Sequence, residues 1–171
     1  MREKSLTLCY IIFAVIFQVF GVAAVNAVEV KGESSKKIIS HCDTIKEDLK
    51  RVQKEDARVR VALGGYYEAI LADFITPLNV RLVENNLSNA RLVENQNDYV
   101  ETRALFASDF IVYQQGLEEL VGMDCKDNPD EFYNKLQFVR QKRKIVSQDV
   151  LKMRSLISEH VKLVGNLKSR L

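Results

Sequence analysis

Apolar residues recur along this chain at alternating steps of four and three, most clearly in its last quarter. Phe132, Leu136, Val139, Val146, Val150, Met153, Ile157, Val164, Leu167 and Leu171 share one stripe, broken only by Arg143 and His160. A sustained 3.5-residue average period keeps a stripe turned toward a neighbouring helix. Asn128-Pro129-Asp130-Glu131 supplies the start, with Asn at the cap, Pro at the first helical position and Glu three residues after the cap. The pattern predicts a helix over 129–169. At 1.5 Å per residue it is a rod of about 60 Å, which needs partners of similar length to bury its stripe.

The same alternation appears earlier in Ile38, Cys42, Ile45, Leu49, Val52, Val59, Leu63, Tyr66 and Ile70, with Asp56 as the odd member. It predicts a helix over 36–75, with Thr44 and Glu47 spaced as a capping box that places an ordered start near Asp43. The stripe passes through Gly64-Gly65 in phase, so the pair reads as a weak point of about 2 kcal/mol and not as a helix end. Thr76-Pro77 marks the next break, because Thr caps well and Pro suits a first turn. A second helix over 78–121 follows, rich in apolar residues from Phe106 to Leu120. Its Asn-rich middle, residues 85–97, is too polar for a dry core. Arg-Leu-Val-Glu-Asn occurs at 81–85 and again at 91–95. Ten residues turn a helix by about 1000°, so the copies lie some 80° apart and form no repeat architecture.

These segments predict an all-α fold: an elongated antiparallel three-helix bundle, up-down-up and coiled-coil-like. Before it, Arg2 and Lys4 lead into an apolar run from Leu6 to Val25, closed by Val25-Asn26-Ala27. That is the order of a targeting segment, with small or medium residues at the −3 and −1 positions of a cleavage site after Ala27. The run is also near the roughly 20 residues that span a bilayer, so a retained N-terminal anchor with membrane contact through residues 6–25 is the alternative. Either fate puts residues 28–171 outside the cytoplasm, in an extracellular, periplasmic or cell-envelope setting.

Composition refines the picture. The 171 residues carry 25 Lys and Arg against 23 Asp and Glu, a net charge of +2, with two prolines and no tryptophan. Near-balance argues against a polyanion binder, and few turn-formers agree with long helices. Cys9 falls in the targeting segment, leaving Cys42 and Cys125, which in an oxidising compartment read most simply as a disulfide, with two unrelated thiols as the alternative. A turn at Pro77 would leave those cysteines about 13 residues, or roughly 20 Å, out of level. Two repairs exist: the first hairpin turns at Asn85-Asn86, or the second helix breaks near Gly116.

No pattern carries catalysis. Asp56 with Arg143, and Asp73 with His160, are each 87 residues apart, and parallel first and third helices would set both pairs level as register-fixing polar contacts. His41 and His160 are the only histidines, and no Glu-x-x-His, Cys-x-x-Cys or His-Glu-x-x-His occurs. His41 beside Cys42 points about 100° away from it on a helix, which argues against a nucleophile and base pair. The basic run at 140–144 reads as a solvated helix face with some attraction for anionic lipid or polymer. The expectation is a non-enzymatic protein with no metal, cofactor, nucleic acid or small-molecule substrate. It acts through helix faces on a protein partner or on itself; the alternative is a membrane-anchored or membrane-active protein that inserts amphipathic helices.

Overall fold

The computed structural model describes the backbone of residues 23–168, residue 88 excepted, and side chains from residue 32 onward. Most of the targeting segment, Cys9 and Leu171 lie outside the described residues. Among those described the chain is all-helical, without a strand. It forms three helical rods. The first comprises α1 (Ala23–Ala69), a π-helical segment (Ile70–Ile75) and α2 (Thr76–Glu84); the second is α3 (Ala90–Gly122); the third is α4 (Pro129–Lys168). No helix among the described residues is long and apolar enough to cross a membrane.

The first rod does not end at Pro77. Proline lacks the N–H that would bond the carbonyl four residues back, and its ring crowds that carbonyl. The backbone answers by widening: the Thr76 N–H donates to the Leu71 carbonyl, five residues back, and the rod runs on. It stops instead at Asn85-Asn86. Asn86 takes φ 58°, the left-handed region. Leu87 N–H bonds the Leu82 carbonyl at 2.8 Å and Asn86 N–H bonds that of Val83 at 3.0 Å. This crossed pair is the Schellman closure, with Asn where glycine is usual. Asn89 then opens α3, its side chain accepting from the Arg91 N–H at 2.9 Å. Asn86→Ala should cost about 1–2 kcal/mol, the penalty of an ordinary side chain in left-handed backbone, whereas Asn86→Gly should cost nothing. Urea denaturation of the two variants checks this.

Other local expectations shift for physical reasons. Thr44 does not start a helix; α1 runs through it, with a kink at His41 (φ −118°, ψ 16°). The Ser40 hydroxyl, one residue earlier, bonds the Lys37 carbonyl at 3.1 Å, a side-chain bond that competes with the helix ladder. The second repair is not used either. α3 passes through Gly116, where a Cβ would lie 3.0 Å from Phe138, so the missing side chain lets α4 approach closely.

The core is a single cluster dominated by α3 and α4. Phe106, Phe110, Tyr113, Leu117 and Leu120 of α3 meet Phe132, Val139, Val146, Met153 and Leu156 of α4. The first rod contributes Ile38, Cys42, Tyr67 and Ile75, but nothing on it is fully buried between Cys42 and Tyr67. Of its predicted stripe, Val59 and Tyr66 are exposed, and Tyr67 is buried in place of Tyr66. Cys42 and Cys125 are disulfide-bonded, with Cα atoms 5.7 Å apart, pinning the far end of the first rod to the loop before α4. Contacts from the first rod to α3 pair rising with falling numbers: Lys46 with Met123, Asp56 with Tyr113, Tyr67 with Tyr99 and Asn79 with Leu92.

Candidate functional site

Three helices each send one polar side chain to a common point beside the middle of the first rod. Asp56 of α1 accepts from Tyr113 Oη of α3 at 2.7 Å and from Arg143 Nε and Nη2 of α4 at 2.9 and 3.0 Å. The carboxylate side chain is 19% exposed and the guanidinium 58%, so Asp56 is the enclosed partner and Arg143 reaches in from the surface. Burial, and then the Asp56 carboxylate, push the Tyr113 hydroxyl well above its usual range. The hydrogen bond that Arg143 donates to Asp56 holds its proton still more firmly. Two-pronged contact of guanidinium with carboxylate fixes geometry as well as charge.

Next to this point, α1 and α4 stand apart and leave a cleft of about 530 Å³. Phe106, Phe110 and Tyr113 form its floor, and Val59, Leu63, Val146 and Val150 its walls. The floor belongs to a ladder of tilted and edge-on rings from Tyr67 to Phe106, Phe110 and Tyr113, with centroids 5.7–6.2 Å apart. Arg60, Arg140, Arg143 and Lys144 also line the cleft, against Asp56 as its one carboxylate. Arg60 rests over the Phe110 ring at 5.3 Å from its centroid. Arg140 and Lys144, read from the sequence as a solvated face, stand at this edge, exposed.

The second expected polar pair is not formed. Asp73 is exposed, and His160 of α4 is buried with its Nδ1 3.2 Å from Asn95 Oδ1 of α3. The π-helical segment explains the miss. It inserts one residue into the first rod, so an 87-residue offset that holds at Asp56 fails beyond Ile70. Phe74 and Ile75 line the space beside His160. Asn95 also donates to the Leu156 carbonyl at 3.1 Å, and Asn79 to the Leu92 carbonyl at 3.2 Å and to Gln96 at 2.7 Å. Asn95 and Gln96, from the polar middle of the second segment, thus tie helices together, while Asn85 and Asn89 serve the turn and the start of α3.

His160 Nε2 is buried without a partner, and burial holds the imidazole below its ordinary pKa of 6.5. The sign follows. Below that value the unfolded chain takes up a proton that the folded chain refuses, so the stability present above pH 6.5 declines as pH falls through and below it. Urea denaturation between about pH 8 and pH 5 should show this decline, and His160→Gln should flatten it.

Asp149 of α4 faces Asp109 of α3; burial and then the second carboxylate raise its pKa. Among the described residues no group of three or more His, Cys, Asp or Glu side chains is placed to hold a metal ion. Comparison with protein-family models, curated proteins and solved structures finds no match.

Proposed function

We propose that this chain is an exported, non-enzymatic interaction protein, an up-down-up, coiled-coil-like rod that docks a helix of a protein partner, most simply a second copy of itself. One observation carries the reading. Outside its buried seam, α3 presents a second apolar stripe, Val93, Val100, Ala104, Ala107 and Ile111, every member exposed. The steps of seven, four, three and four residues are those that keep side chains facing a neighbouring helix. Ala104 and Ala107 lie beside Gly64 of α1 in a small trough that Arg60, Arg103 and Phe106 also line, so the stripe borders a groove with small residues on two sides. A Cβ at Gly64 would meet nothing within 4 Å. That glycine weakens α1 without serving the packing of this chain, and it leaves room for another backbone to come close.

The order of interhelix contacts supports the rod. Pairs between α3 and α4, such as Glu119 with Lys135 and Asn95 with His160, run in opposite directions. Those between α1 and α4, Ser35 with Asp130 and Asp56 with Arg143, run in the same direction. Export rests on the N-terminal pattern, and the membrane-held alternative differs only in keeping residues 6–25. N-terminal sequencing of protein from its native compartment separates a chain beginning at Val28 from an anchored one.

Sedimentation across a concentration series tests the docking. Association that Ala107→Glu abolishes, with helicity retained, is the expected result. A chain that stays monomeric throughout and crosslinks to no helical partner in its native compartment overturns the proposal.

A further inference from the structure

The cleft between α1 and α4 has walls that a closed helix bundle would bury. Val59 is 53% exposed although it belongs to the apolar stripe of α1, and Leu63, one turn on, is only partly covered. Leaving such side chains in water costs about 25 cal/mol per Å² of apolar surface, which a ligand lying on them would recover. At about 530 Å³ the space falls within the roughly 300–1,000 Å³ of small-molecule sites, and like them it joins an apolar and aromatic lining to a few polar groups.

Charge then selects the occupant. Asp56 is fully engaged by Arg143 and Tyr113, and Arg60 is held over Phe110. Arg140 and Lys144 have no anionic partner among the described residues, and both stand at the edge of the cleft. An apolar trough with two uncommitted cations at its mouth matches one kind of molecule: an acyl chain ending in a negative charge. We propose that this cleft binds a single medium-chain fatty acid. The chain lies along Val59 and Leu63, above the buried rings of Phe106 and Phe110, and the carboxylate is met by Arg140 and Lys144. Arg143, locked to Asp56, holds the helices in place around it. The inference does not rest on the exposed stripe of α3, which involves other residues, so either proposal can fail alone.

Calorimetric titration of the full chain, as purified from the cell that exports it, decides the matter. The probes are laurate, dodecanol and dodecyltrimethylammonium. One laurate per chain should bind, dodecanol about ten-fold more weakly, and the cation not at all, since one order of magnitude corresponds to about 1.4 kcal/mol of charge contact. Raising the salt concentration should weaken laurate toward dodecanol, because both cations are exposed and screened. Two variants separate chain from head. Val59→Glu changes an exposed side chain, so the fold survives while the acyl chain is excluded. Arg140→Gln with Lys144→Gln should reduce laurate to the affinity of dodecanol. The proposal fails if laurate and dodecanol bind alike, if Val59→Glu leaves laurate binding intact while circular dichroism is unchanged, or if no heat is seen. It fails equally if the chain floats with phosphatidylglycerol vesicles but binds no monomeric laurate, since the cations then serve a membrane surface.

Discussion

Replacing Cys42 and Cys125 together by alanine should destabilise the bundle by about 4–5 kcal/mol, lowering its melting temperature by roughly 10–15 °C. The two cysteines are 83 residues apart in sequence, so their bond removes a large loop-closure freedom from the unfolded chain. Alanine is preferred to serine because Cys125 is wholly buried, and an orphaned hydroxyl there would add a cost of its own. The loss should also be uneven. Between Cys42 and Tyr67 the first rod has no fully buried residue, and it is held there by the Asp56 contacts, by Lys46 to the Met123 carbonyl, by Asp43 with Lys126, and by half-buried Ile45, Leu49, Val52 and Leu63. Hydrogen exchange should therefore quicken first in that stretch of α1, while α3 and α4, which share most of the core, keep their protection. A double variant that melts with the parent, or exchanges uniformly, would show that the apolar contacts of α1 suffice without the bond.

What could be read from the residues divides along a physical line. Patterns that lie within one helix were legible. The Pro129 start and the stripe from Phe132 reappear in α4 as far as Met153, with Phe132, Val139, Val146 and Met153 buried; beyond it Leu156 and Leu163 are buried where the stripe had Ile157 and Val164, which are half-covered. The pairing of Cys42 with Cys125 argued against a hairpin at Pro77 but left a turn at Asn85-Asn86 and a break near Gly116 equally open; the chain takes the first. Asp56 and Arg143 meet because their offset is measured on uninterrupted α-helix. Features that depend on phase across a defect were not legible. The π-helical segment adds one residue to the first rod, which sends Asp73 to the surface and leaves His160 to Asn95. Thr76-Pro77 carries the same letters whether it begins a helix or is absorbed by a wider turn. Tyr66 and Tyr67 are neighbours, and only the approach of α3 decides which one is buried. The cleft could not be foreseen at all. It exists because α1 stands off from α4 between Asp56 and Leu63, a property of three helices together.

Tyr99→Ala should cost about 3–5 kcal/mol, the range for emptying a buried aromatic site, and Tyr99→Phe only about 1 kcal/mol. Tyr99 is wholly buried in α3; its ring meets Tyr67 edge-on at 6.5 Å and its hydroxyl donates to the Tyr67 carbonyl at 3.0 Å. Tyr67 in turn contacts Phe106, and through it the ladder reaches Phe110 and Tyr113 under the cleft. Phenylalanine keeps the ring and gives up one hydrogen bond, whereas alanine leaves a void that the surrounding helices close only in part. The two variants also differ in reach. With the ring gone, Tyr67 loses a flank, and Phe106 is free to tip toward the space left behind. Tyr99→Ala should therefore weaken laurate binding at a site that Tyr99 does not line, and Tyr99→Phe should leave it unchanged. Urea denaturation gives the stabilities and calorimetry the affinities. If Tyr99→Ala falls within about 1 kcal/mol of the parent, the rings do not hold the first rod to α3, and the packing described for that interface is wrong.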